Sequence, residues 1–281
     1  MASYKMGIDI GATKTHIGIV KDAQVIQEIK YPTRALAPQE AIIEDLIAQM
    51  NIFAEFGFES VGIGVPGLVD DETGIVYDLT NIPSWQEVPL KKRLEEHFKI
   101  PVRVTNDANM FALGEKTYGA GKNYKNLVGI TLGSGFGAGL IVDHKMYSGI
   151  LSSAGEMADI PYLDKTIEDY CSGKFFKQQH GLEGIKVSRL AVAGDEKAKQ
   201  IFHEFGMHVG ASIRIIMNIL SPEAIFLGGS VTTSYSFFEQ GILEKLNDYP
   251  FERVRKKVHI APSKIPNISI LGAAALVDAA Y

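Results

Sequence analysis

Asp9 closes an apolar run, Tyr4-Lys5-Met6-Gly7-Ile8-Asp9-Ile10, and is followed at once by Gly11-Ala12-Thr13-Lys14-Thr15. A carboxylate at a strand end, beside small residues, hydroxyls and one lysine, has what a Mg²⁺-bound phosphate chain needs. The acid can orient the ion and its waters. Backbone N–H groups and hydroxyls can bond phosphate oxygens, and the ammonium offsets charge. A second apolar run, His16 to Val20, follows the turn, so the chain continues as a strand and not as a helix. No G-x-x-x-x-G-K-[ST] pattern is present, which excludes a P-loop. An ordinary glycine-containing hairpin would give the same local pattern.

An internal repeat bears on that choice. Gly7-Ile8-Asp9-Ile10-Gly11 recurs as Gly129-Ile130-Thr131-Leu132-Gly133, and without a gap Ile19-Val20-Lys21-Asp22 falls on Ile141-Val142-Asp143-His144. Ungapped agreement over two strands and their turn is more than two hairpins share by chance. Two like domains, each with such a turn, can hold a polyphosphate from both sides. The second turn, Gly133-Ser134-Gly135-Phe136-Gly137, leads into the apolar strand Leu140-Ile141-Val142. A dinucleotide fingerprint would lead into a helix, so that reading is set aside. Glycines and Ser134 leave room for phosphate oxygens to approach backbone N–H groups.

Other residues suit a polyol. Asn106-Asp107-Ala108-Asn109 opens a helix directly after the strand Pro101–Thr105. One of the two polar residues suffices as helix cap, and the other is available to take a proton from a hydroxyl. Glu156, Asp159, Glu168 and Asp169 form an acidic stretch beside the small residues Ser152-Ser153-Ala154-Gly155. Carboxylates accept paired vicinal hydroxyls, although most acidic stretches are solvated loop. Asn81-Ile82-Pro83-Ser84-Trp85 adds an amide and an aromatic ring more often used in packing. Gly228-Gly229-Ser230, after a buried strand, could admit a nucleobase or simply be a turn. The seven histidines show no metal-ligand spacing and are read as ordinary.

The elements that must position these residues follow from periodicity. Strands are expected near 5–10, 15–20 and 24–29, then a helix over Pro38–Glu55, a buried strand Ser60–Val65 ending at Pro66-Gly67, and a helix Leu90–Lys99. The strand Pro101–Thr105 and a helix through Tyr118 follow. The second half repeats the plan: strands within 127–143, helices near 167–179 and 195–219, and a strand Ala224–Leu227. A helix Phe237–Leu246, a strand Val258–Ile260 and a last helix from Leu271 complete it. That order argues an α/β fold with helices on both sheet faces. The 281 residues are 46% hydrophobic, enough for one large or two medium domains. A net charge of −5 gives no footprint for nucleic acid, and the run Arg253–Lys257 is short. The single cysteine, Cys171, excludes an intrachain disulfide and a multi-cysteine zinc site. No apolar run spans a membrane and the first strand starts too early for a signal peptide, so a cytoplasmic location is expected.

Taken in order, Gly7–Thr15, Gly64-Val65-Pro66-Gly67, Asn81–Trp85, Asn106–Asn109, Leu132–Gly139, Ala154-Gly155-Glu156, Glu168–Gly173 and Gly228-Gly229 resemble the ROK family of repressors, open reading frames and sugar kinases. The resemblance covers nearly the whole chain. It implies the actin-like ATPase (ribonuclease H-like) fold: two similar lobes of mixed sheets flanked by helices, 1–114 plus 268–281 and 115–267, with sugar and ATP in the cleft between them. It further implies that Asp9 orients Mg²⁺. Gly11, Thr13, Lys14, Thr15, Gly133, Ser134, Gly135, Gly228 and Gly229 would hold ATP. Gly67, Asn81, Asn106, Asp107, Glu156, Asp159 and Glu168 would hold the sugar, with Asp107 as general base. ROK kinases usually carry a histidine shortly after the Gly-Glu pair and then a cysteine-rich zinc loop. Here Asp159 stands at the histidine's place, and Pro161–Ile167 is too short for the loop and has no cysteine. No zinc is therefore expected, while Glu168–Gly173 still matches the end of the loop.

The expected activity is ATP-dependent phosphorylation of a hexose hydroxyl, the 6-hydroxyl first and glucose the leading candidate. N-acetylmannosamine, allose, fructose or a glucoside come next. A homodimer is expected, with neither nucleic acid nor membrane as partner. The rival is a non-catalytic sugar sensor of the same family. Its repressor branch adds an N-terminal DNA-binding helix-turn-helix, a version that the early first strand and the negative net charge disfavour here.

Overall fold

The computed structural model describes residues 3–279. They form two compact units. One comprises the chain up to Lys125, residues 139–155 and the chain from Ser263; the other comprises Asn126–Ala138 and Glu156–Pro262. The expected lobes changed over at 114 and 268, whereas residues 115–125, 139–155 and 263–267 group with the first unit.

In the first unit β1 (Lys5–Ile10), β2 (Lys14–Lys21) and β3 (Gln24–Pro32) run as an antiparallel meander into α1 (Gln39–Asn51). The strand β4 (Ser60–Val65) follows, then a small sheet of β5 (Leu68–Asp70), β6 (Ile75–Tyr77) and β7 (Glu87–Val88). Next come α2 (Leu90–Phe98), β8 (Val102–Asn106) and α3 (Asp107–Thr117). The main sheet has the order β3-β2-β1-β4-β8, with β4 parallel to both β1 and β8. Every residue of β4 is buried, as expected of a parallel strand covered on both faces. The helix α1 buries Ile42, Ile43, Leu46 and Met50, a single apolar stripe at helical spacing.

The second unit draws on β9 (Leu127–Leu132) and the start of β10 (Phe136–Val142), whose later residues count with β11 (Lys145–Tyr147) in the first. A hairpin of β12 (Pro161–Tyr162) and β13 (Lys165–Thr166) leads to α4 (Ile167–Cys171), α5 (Gly173–His180), α6 (Gly184–Val192) and the long α7 (Glu196–Leu220). Then β14 (Ala224–Gly228), α8 (Tyr235–Asn247), the short α9 (Glu252–Arg255) and β15 (His259–Pro262) finish it. The sheet order is β11-β10-β9-β14-β15, with β14 parallel to β9 and β15. The chain ends in the first unit with α10 (Ile268–Leu276), which presses directly on its sheet. A Cβ placed on Gly62 of β4 would lie 1.7 Å from the Ala273 carbonyl oxygen.

The sequence repeat is a repeat of structure. The offset that carries Gly7 onto Gly129 carries the first residue of β1 onto that of β9, and that of β2 onto that of β10. The two five-stranded sheets also share one order.

Several expected bounds shift. The helix expected over 167–179 is two, because Ser172 is extended and its Oγ accepts the Lys174 N–H as the cap of α5. The helix expected to Glu55 stops at Asn51 and passes through a 3₁₀ turn, Ala54–Phe56, to Gly57 in the left-handed region. The last helix starts at Ile268 and not at Leu271.

Candidate active site

In the first unit, Asp9 lies next to the end of β1, paired across the hairpin with His16 and in parallel register with Gly64. The turn closes through Gly11 N–H to the Lys14 carbonyl at 3.0 Å, and Thr33 N–H bonds the Thr13 carbonyl at 3.1 Å. Thr13 and Lys14 are exposed at its tip. Thr15 is buried, and its hydroxyl meets that of Thr33 at 2.8 Å. Asp9 keeps some solvent contact, yet burial of its carboxylate pushes its pKa up to about 6, against the opposing charge of Lys14. His16 Nε2 meets Glu28 at 3.0 Å, and burial lowers its pKa.

The strand β8 hands over to α3 at Asn106. Its Oδ1 accepts the Ala108 N–H at 2.8 Å, and its Nδ2 donates to the Gly67 carbonyl at 3.1 Å. Asn106 is therefore the cap and also braces the Gly67 turn. Asp107 follows it as the first residue of α3. Asn81 is exposed on the segment between β6 and β7, while Trp85 is fully buried and serves packing. Asn109, named from the sequence only as part of the segment that opens the helix, is fully buried on α3, and its two amide atoms have no hydrogen-bond partner among the described residues.

In the second unit the turn Gly133–Gly135 closes on itself, Gly133 N–H to the Gly135 carbonyl at 3.0 Å. The start of α5 is lashed to it by Gly173 N–H donating to the Gly133 carbonyl at 2.7 Å. Gly229 follows β14 with φ +88°, and a Cβ there would meet the Leu132 carbonyl oxygen at 2.4 Å. Only glycine allows that approach at that φ. Gly133, Ser134, Gly173, Lys174, Ser230 and Thr233 line part of a cavity of about 450 Å³, within the range of cofactor sites. Ser134 is exposed there. The sequence pointed to Gly133, Ser134 and the Gly228-Gly229 turn, but not to Lys174 or Thr233.

The acidic stretch also gathers. Glu168 N–H bonds the Ala158 carbonyl at 3.0 Å and Ile167 N–H the Ile160 carbonyl at 3.0 Å, folding 156–168 back on itself. The Glu156 pKa is raised by burial first and then by the charges of Asp159 and Glu168, so the three carboxylates share one neighbourhood. Glu168 is engaged on both oxygens: Oε2 accepts the Phe136 N–H at 3.1 Å and Oε1 the Lys174 ammonium at 2.5 Å. Cys171 is buried, which pushes its thiol pKa up to about 12 and makes it inert. Among the described residues no three His, Cys, Asp or Glu side chains gather as a metal-ligand set. A single carboxylate such as Asp9 suits an ion carried mainly by nucleotide phosphates and water. No helix among the described residues is long and apolar enough to cross a membrane.

The fold is that of the actin-like ATPases, shared with the ROK sugar kinases among solved structures. The chain belongs to the ROK family, whose model matches residues 5–280. It is 31% identical to a glucokinase of Streptomyces coelicolor, covering 81% of this chain and 82% of that protein. It is 28% identical to the xylose repressor of Bacillus spizizenii, covering 98% of this chain and 77% of the repressor. The crystal structure of a ROK family glucokinase from Streptomyces griseus, in complex with glucose and AMPPNP, superposes with a TM-score of 0.86. The identity there is 27%, over 98% of this chain and 99% of that one.

Proposed function

We propose that this ATP-dependent sugar kinase phosphorylates a hexose, at the 6-hydroxyl and with glucose as the first candidate. The observation that carries the catalytic assignment is the position of Asp107: it is the first residue of α3, directly after the cap Asn106, where strand β8 hands over to the helix. Asp107 accepts the hydroxyl proton while that oxygen attacks the γ-phosphorus and ADP departs. Lys14 and the Gly11–Thr13 turn bind the donor's phosphates, as do Ser134 and the Gly133–Gly135 turn. The cavity beside Gly229 takes the nucleoside. Asp9 would orient the waters of a Mg²⁺ ion carried on the phosphates, and that ion would supply charge neutralisation. Glu156, Asp159 and Glu168 accept sugar hydroxyls, and Gly67, Asn81 and Asn106 are the further candidate sugar contacts.

The glucokinase relative and the glucose-bound neighbour support glucose over N-acetylmannosamine, allose, fructose or a glucoside. The match to a xylose repressor over 98% of this chain favours a second reading, a sugar sensor without turnover. A hexose panel with coupled ADP detection separates them. Turnover on glucose above all other sugars is expected, and sugar binding by calorimetry without ADP release would establish the sensor.

A further inference from the structure

The Glu168 carboxylate does two things that a hexose ligand alone would not require. Its Oε2 accepts the Phe136 N–H at the end of the Gly133–Gly135 turn, and its Oε1 holds the Lys174 ammonium. Gly135 makes the first contact possible, since a Cβ there would sit 2.6 Å from Oε2. Two backbone links hold Lys174 beside the turn: its own N–H is capped by Ser172 Oγ at 3.2 Å, and the preceding Gly173 N–H bonds the Gly133 carbonyl. Lys174 also lines the same cavity as Gly133 and Ser134. The other lysine of that cavity, Lys177, is paired with Glu183 at 3.1 Å and has no such tie to the turn.

We infer that Lys174 is a contact for the phosphate chain of the nucleotide and that Glu168 is its positioning residue, so one carboxylate serves both the acceptor and the donor sites. The inference rests on the donor reading above. An ammonium has three N–H donors, and Glu168 Oε1 takes one of them, leaving two for phosphate oxygens. The pairing also favours the charged ammonium: the hydrogen bond that Lys174 donates to Glu168 raises the Lys174 pKa. An ordinary surface ion pair would add little to stability and nothing to binding.

Calorimetry with AMPPNP and with adenosine, both in Mg²⁺ buffer, tests this on the full chain. Lys174→Met is expected to weaken AMPPNP binding about ten-fold or more, the size of a lost charge-assisted hydrogen bond, with adenosine affinity unchanged. Lys174→Arg should recover most of the loss, and Glu168→Gln should weaken AMPPNP without touching adenosine. In kinetics Lys174→Met raises KM for ATP and leaves KM for hexose in place. Parent-level AMPPNP affinity in Lys174→Met overturns the inference, as does an equal loss for adenosine, which marks a structural role. A parent protein that binds AMPPNP but phosphorylates no sugar overturns the kinase reading alone; one that binds neither AMPPNP nor adenosine overturns both.

Discussion

Asp9→Asn should make the protein more stable while impairing its turnover. Burial of the carboxylate raises its pKa from 3.8 to about 6, so the folded chain holds a charge it would rather not hold. The sign follows from linkage. Above pH 6 the carboxylate is ionised in both states and the full penalty is present. As pH falls from 6 towards 3.8, the folded state takes up a proton the unfolded state does not, and stability is regained. At ~1.36 kcal/mol per pH unit, the gap between 3.8 and 6 corresponds to at most about 3 kcal/mol at pH 7.5, and roughly half of that remains at pH 5. Asparagine mimics the protonated form, so Asp9→Asn removes the penalty. For a unit of this size, ~2–4 °C per kcal/mol translates that into a melting point several degrees higher. The assay is thermal and urea unfolding of both proteins at pH 7.5 and pH 5 in a chelating buffer, since bound Mg²⁺ would favour the ionised form. Turnover with Mg²⁺-ATP should fall about ten- to a hundred-fold, as for residues that orient a metal's water. A variant equally or less stable at pH 7.5, or one whose gain does not shrink at pH 5, would refute the reasoning.

Asp107→Asn should lower kcat by about 10²–10⁴ with hexose affinity nearly intact, measured by coupled ADP release and calorimetry. Hexose affinity should fall as pH drops through the raised pKa of Glu156, starting above the range of an ordinary glutamate because the ionised form accepts the hydroxyls. Glu156→Gln should flatten that limb of a calorimetric pH series between 5 and 8; an unchanged limb would assign it to another group. Prolonged treatment with a zinc-selective chelator, followed by Mg²⁺, should leave fold and activity as they were, and one tightly bound zinc per chain by metal analysis would contradict this.

The plan of the fold was legible because it is written twice. The Gly7–Gly11 and Gly129–Gly133 segments announced matching hairpins, and the capping chemistry of Asn106-Asp107 announced a helix at the site. What stayed hidden depends on neighbours distant in sequence. Thr15 reads as a turn hydroxyl until Thr33 comes within 2.8 Å of it. Glu168 reads as a sugar ligand alone, and only the fold brings Phe136 N–H and Lys174 onto its two oxygens. The helix α6 went unread because Glu183, before its first residue, makes no side-chain cap bond and only Val187 and Ala191 of it are buried. The small sheet of β5 to β7 is built from strands of three residues or fewer, too short for alternation to register.

The seat of α10 has a consequence for how the chain is made. Gly7 and Gly62 offer bare backbone to Ile270 and Ala273, residues synthesised after the whole second unit. During vectorial synthesis the first sheet must wait with that face uncovered, while Glu156–Pro262 emerges and can fold as a nearly continuous piece. The first strands to leave the ribosome are then among the last to be sealed. A chain cut short before Ile268 would keep the residues that line the cavity beside Gly133 and Ser134, yet leave an open apolar sheet as a target for chaperones and proteases.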